Sequence, residues 1–99
     1  MKKTLFIAFW DYNAEDTAKV IEKFSKATEE RKKGTERFAK LVYGPYHFNG
    51  KDSGFSVYET DDPDKLMNIS IFYSPEMTWK LKPIIDTRRA AELWVKMKK

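Results

Sequence analysis

From Thr4 to Asp11 the chain reads TLFIAFWD, with apolar residues on both parities. In an extended chain Leu5, Ile7 and Phe9 share one face, and Phe6, Ala8 and Trp10 share the other. A strand of that kind is buried on both sides. Beyond Asn13 the period changes. Thr17, Val20, Ile21, Phe24, Ala27 and Thr28 recur at helical spacing. Asn13 is the expected N-cap, with Asp16 three residues on, and Gly34 follows a basic last turn as a C′ residue should.

The stretch RFAKLVYGPYHF (37–48) predicts a second strand. Pro45 cannot donate to a ladder, so this strand belongs at an edge or carries a bulge. The turn NGKDSG and the strand GFSVYET (54–60) complete a hairpin. Asp62 as N-cap, Pro63 at the first helical position and Asp64 in the first turn then start a helix. Ile69 and Ile71 alternate with polar residues as in a strand, but the start signal favours a short helix that ends by Pro75. TWKLKPIID reads as a strand with Trp79 and Leu81 set against Lys80 and Lys82. The segment from Asp86 predicts a tail helix with Ala90, Leu93, Trp94 and Met97 on one face.

The order β-α-β-β-α-β plus a tail helix is an α+β, ferredoxin-like split βαβ pattern, expected to form a single domain over 1–99. Two helices cover one face of such a sheet. Because the first strand is apolar on both faces, the bare face also requires cover, most simply from a second copy in a symmetric homodimer.

Composition narrows the chemistry. Phe, Tyr and Trp make up 15% of the 99 residues, more than one small core easily hides, which points to an interface or a ligand pocket. The absence of cysteine excludes disulfides and thiolate metal sites, and the single histidine, His47, excludes any site needing two imidazoles from one chain. The opening MKKTLFIAFWD imitates a secretory leader, but the apolar run Leu5–Trp10 is too short, Asp11 closes it and no small-residue cleavage site follows. The expected location is cytoplasmic, away from any membrane. Net charge is +4, and the basic residues cluster at Arg31, Lys32, Lys33 and Arg37 and again at Arg88, Arg89, Lys96, Lys98 and Lys99. Helix C-termini attract cations, which gives such clusters a structural reason, so nucleic acid is not the expected partner.

Ordered short motifs add a resemblance. GPYH (Gly44–His47), GFSVYETDD (Gly54–Asp62), the pair Tyr73-Ser74 and KPIID (Lys82–Asp86) together resemble a small uncharacterised family of the dimeric α/β-barrel superfamily, in which Tyr46 stands where Trp is common. The resemblance implies a homodimer with an eight-stranded composite barrel and implies no reaction. The loops between the paired strands of that family are longer than two residues.

His47 is the candidate catalytic residue, as a general base near neutral pH, although a lone histidine beside a turn is also an ordinary surface residue. The hairpin register decides its neighbours. A two-residue Asn49-Gly50 turn sets His47 opposite Asp52. The longer loop, which the resemblance favours, sets Phe48 opposite Gly54 and His47 opposite Phe55, on a face with Pro45, Val57 and Glu59. The expected ligand-binding residues are Trp10, Tyr46, His47, Glu59 and Tyr73. Glu59 reads either as a buried acid or, preferably, as half of an interface ion pair with Lys80 or Lys82. Trp79 could line the same pocket, but core and dimer packing is its preferred reading. The ETDDPD run reads as a helix cap rather than a metal site, and no cofactor or metal is expected.

Three functions follow. The preferred one is a homodimeric barrel that binds a small aromatic or carboxylate-bearing molecule, with a cofactor-independent enzyme as a subset. The second is an RRM-like RNA-binding sheet, for which Gly54-Phe55 fits while Ser53 and Val57 depart from the stacking motif. The third is a ligand-free structural or regulatory interaction protein.

Overall fold

The computed structural model describes residues 3–98; Met1, Lys2 and Lys99, the last of these in the tail-helix basic cluster, lie outside the described residues. The elements are β1 (Thr4–Tyr12), α1 (Thr17–Lys32), β2 (Lys40–His47), β3 (Ser53–Thr60), α2 (Pro63–Tyr73), β4 (Met77–Ile84) and α3 (Thr87–Lys98), with a 3-10 turn at Ala14–Asp16. The strands form one antiparallel sheet in the order β2-β3-β1-β4. This is the ferredoxin-like α+β arrangement expected from the order of periods.

Strand parity divides the sheet cleanly. On β1, Ala8 and Trp10 lie opposite Ser56 and Gly54 of β3 and opposite Leu81 and Trp79 of β4. That face is covered by the helices, and Ala8, Trp10, Ser56, Tyr58 and Met77 are buried there. Val20 and Ala27 of α1, Leu66, Ile69 and Tyr73 of α2, and Phe38 and Ala39 before β2 complete the core. The other face carries Leu5, Ile7 and Phe9 against Glu59, Val57 and Phe55, and no helix of the described residues lies over it.

Local chemistry explains the element ends. Asp62 Oδ1 accepts from the Asp64 N–H at 2.9 Å ahead of Pro63, a cap worth about 1 kcal/mol. At Gly34, φ is +80°, and the Gly34 and Thr35 N–H groups return to the Arg31 and Glu30 carbonyls, closing α1 as its sequence predicts. Asn13 is different. Its side chain makes no cap bond; its carbonyl accepts from Asp16 N–H in a tight turn, and α1 starts only at Thr17. The far side of α1 is latched by Lys23, whose ammonium donates to the Ser74 carbonyl at 2.9 Å and pairs with Glu76.

β2 is the edge strand that Pro45 requires, with irregular pairing between Leu41 and Tyr46. Gly44 at φ +88° lets it bend there: a Cβ would stand 3.0 Å from the Phe55 carbonyl oxygen. The hairpin register is neither of the two expected. Phe48 N–H donates to the Ser53 carbonyl at 2.8 Å, Lys51 N–H to the Phe48 carbonyl, and His47 lies opposite Gly54, with Tyr46 opposite Phe55. The connection is a four-residue loop, 49–52, which sets His47 two residues from its Asp52 expectation and one residue from its Phe55 expectation, the preferred one. One residue of slip exchanges faces. His47 therefore points to the helix-covered face with Trp10 and Ser56, while Phe55, Val57 and Glu59 point away from it.

α3 has the predicted apolar face, yet none of its side chains is buried. Trp94 is 63% and Met97 82% exposed. Among the described residues no helix is long and apolar enough to cross a membrane.

Candidate functional site

The site grows from two consecutive inward positions of β1. Trp10 and Tyr12 point toward the helices, and His47 on β2 reaches them across Gly54. Gly54 is needed for this: a Cβ there would overlap the Tyr46 carbonyl and come within 2.6 Å of the Trp10 ring. The indole thus lies against the bare glycine, and its edge meets the imidazole at a centroid distance of 4.8 Å. The Tyr12 hydroxyl hydrogen-bonds His47 Nε2 at 2.8 Å. The Trp10 indole N–H donates to Ser56 Oγ at 3.1 Å, fixing the ring at the centre of the sheet.

Between sheet and helices lies a cavity of about 210 Å³. Trp10, Tyr58, Tyr73 and Trp79 wall it from the core side, and Val20 and Phe24 close it from α1. Tyr12 and His47 stand at one part of its lining. Arg31, whose guanidinium lies 5.6 Å from the Tyr58 ring centroid, stands at another. From Gly54, opposite His47, to Tyr58, beside Arg31, the strand runs about 13 Å.

Among the described residues no acidic side chain lines the cavity. Its ionisable members are Arg31, His47 and three tyrosines. Burial pushes the Tyr73 phenol well above its ordinary range. Burial also raises Tyr58, although Arg31 and Ser56 pull it partly back. Tyr12 is raised by burial and by the charge of Asp52. All three are neutral phenols at neutral pH, able to donate as well as accept. Among the described residues two buried side-chain N–H groups have no partner, Arg31 Nε and Trp79 Nε1.

Of the residues expected to bind a ligand, Trp10, His47 and Tyr73 come together in this lining. Tyr46 and Glu59 do not. Tyr46 projects from the open sheet face, its ring 5.1 Å from that of Tyr43 and 6.1 Å from that of Phe55. Glu59 lies opposite Leu5 and Lys40 on that same face, with β1 between it and the lysines of β4. Asp62 caps α2, and among the described residues no three acidic or imidazole groups gather in a way that could hold a metal ion.

The sequence reading missed Tyr12, Ser56, Arg31 and the orphan indole of Trp79. Tyr12 was legible: β1 runs two residues beyond Trp10, and the parity of Trp10 carries over to it. Arg31 was also legible, because Phe24, Ala27 and Arg31 continue the inner stripe of α1 at spacings of three and four. Its place in a basic run disguised it as a helix-end charge.

The family model for a domain of unknown function, DUF3303, matches residues 4–98. The chain belongs to that family. No curated protein and no solved structure matches it.

Proposed function

We propose that this DUF3303 protein is a cytoplasmic homodimer of the dimeric α/β-barrel kind that binds one small aromatic molecule per chain between its sheet and helices. The observation that carries the reading is the cavity of about 210 Å³ walled by Trp10, Tyr58, Tyr73 and Trp79. An apolar protein cavity of about 150 Å³ takes up benzene, so this volume suits a single substituted ring. The hydrogen-bonded Tyr12–His47 pair gives the same cavity a phenol and an imidazole in contact. A cofactor-independent enzyme with His47 as general base is the catalytic form of this reading.

Dimerisation is supported by the sheet face that the helices leave open. Phe9, Tyr43, Tyr46 and Phe48 are each more than a third exposed there, and Phe55 stacks among them. Covering an apolar side chain of this size contributes about 1.5–3 kcal/mol, so a face of several favours a second copy. The proposed interface also gives Glu59 access to Lys80 or Lys82 of the other chain.

Thermal shift with a panel of single-ring aromatic compounds tests the binding reading. Compounds that stabilise the wild type are expected to leave Val20→Phe, in which a ring fills the cavity, unshifted. A panel without a stabilising compound, or equal shifts in the filled variant, contradicts it.

The exposed Phe9 and half-buried Phe55, side by side on the two central strands, give the RRM-like reading its own footing, since bases stack on rings so placed. A monomer that binds single-stranded RNA with affinity falling steeply in salt would favour that reading, because a dimer through this face covers both rings.

A further inference from the structure

Arg31 and Arg37 both lie against the ring of Phe38, at 5.5 and 4.8 Å from its centroid. Only Arg37 is matched by a carboxylate: Glu30 accepts from its Nε at 2.7 Å and from its Nη2 at 2.5 Å. Arg88 and Arg89 pair with Asp86 and Glu92. Among the described residues Arg31 is therefore the one arginine of four without an acidic partner, and it is the one that lines the cavity. One Nη donates to the Ala39 carbonyl at 3.2 Å, while its Nε–H is buried and unbonded. Packing against rings accounts for the planar faces of the guanidinium. It leaves that in-plane donor unexplained, and a buried donor without an acceptor is costly.

The second orphan donor belongs to the same neighbourhood. Trp79 packs on Tyr73 at 5.4 Å and on Tyr58 at 6.4 Å, and Tyr58 is the ring beside Arg31. The contrast with Trp10 is informative, because that indole N–H has its acceptor in Ser56. Two side chains with buried, unbonded N–H groups, one of them a fixed positive charge, thus share a lining with neutral phenols, and among the described residues no carboxylate joins it. What is missing is an acceptor with negative charge. Aromatic walls and a volume suited to one ring favour a planar monoanion over a bulky, strongly hydrated phosphate.

We propose, building on the cavity-binding reading, that the ligand is a single-ring aromatic carboxylate whose oxygens accept from Arg31 and from the indole N–H of Trp79, with its ring between Trp10, Tyr58 and Tyr73. Arg31 is the group that recognises the charge. Trp79 orients the carboxylate, and the Tyr12–His47 pair meets the ligand at its other substituents.

Titration calorimetry with benzoate and with benzamide, its neutral isostere, tests the assignment on the full chain. Benzoate is expected to bind wild type at one per chain and at least about tenfold more tightly than benzamide. Arg31→Met is expected to abolish that preference and leave benzamide binding near its wild-type value. Trp79→Phe, which keeps the ring and removes the donor, is expected to shrink it, and it serves on its own if Arg31→Met fails to fold. Equal affinities for the two probes in wild type, or a preference that survives in both variants, overturns the carboxylate assignment and leaves the cavity reading standing. Failure of both probes to bind overturns the two together.

Discussion

The Tyr12 hydroxyl and His47 Nε2 are 2.8 Å apart, joined from strands that are not neighbours in the sheet. Gly54 on the intervening strand leaves the gap through which they meet. The Tyr12 phenol is held above its ordinary range and stays protonated at neutral pH, so it is able to donate to Nε2. With the phenol as donor, His47 accepts at Nε2 and carries its proton on Nδ1. Nitrogen-15 NMR is expected to show the Nδ1–H tautomer in wild type and a mixture in Tyr12→Phe. A wild-type spectrum dominated by the Nε2–H form would reverse the direction of this bond.

Gly54 is expected to be the least replaceable glycine. Gly54→Ala drives a methyl group into the Tyr46 carbonyl and the Trp10 ring, for a loss of about 3 kcal/mol by the usual cost of overpacking. Gly50→Ala meets no neighbour and carries only the cost of φ +74°, about 1 kcal/mol. Urea denaturation of both variants checks the order.

The open sheet face predicts a dimer. Sedimentation equilibrium is expected to give twice the chain mass of 11.7 kDa, and Phe9→Glu, which sets a charge beside Phe55, is expected to give a monomer that remains folded. A monomeric wild type at tens of micromolar contradicts the proposed assembly.

Tyr73 predicts an alkaline limit to stability. Its folded pKa lies above the unfolded value of about 10, so its contribution is complete below that pH. As pH rises further, the unfolded chain ionises first, and stability falls by about 1.4 kcal/mol per pH unit for this tyrosine. Tyr58, raised by burial in the same way, adds to the fall. Urea midpoints at pH 9 and pH 11 are expected to differ less in Tyr73→Phe than in wild type; an unchanged difference removes Tyr73 as a source.

The element order could be read from the chain because the signals that set it are local. Alternation places Trp10, Ser56 and Trp79 on strands, helical spacing places Val20 and Ala27 inward, and Asp62-Pro63 starts a helix wherever it occurs. The site was less legible because it depends on a register. A loop of four residues, rather than five, turned His47 toward Trp10 and Tyr12 and sent Phe55 to the other face, while a two-residue turn keeps that parity but sets Asp52 instead of Gly54 opposite His47. No residue type within NGKDS fixes that count. Arg31 was hidden for a different reason: its sequence neighbours are solvent-facing lysines, and only its spacing from Ala27 shows that it turns inward. The apolar face of α3 was visible in the sequence, but one chain gives it no surface to pack against.

Indole N–H resonances give the most direct test of ligand binding in the cavity. The three tryptophans report separately: Trp10 bonded to Ser56, Trp79 unbonded in the cavity lining, and Trp94 63% exposed on α3. In a benzoate titration followed by proton–nitrogen correlation NMR, the Trp79 N–H is expected to move downfield and saturate, Trp10 to shift through ring contact, and Trp94 to stay still. Stationary Trp10 and Trp79 signals, or shifts confined to the backbone around Tyr46 and Phe55 on the opposite face, would contradict the account.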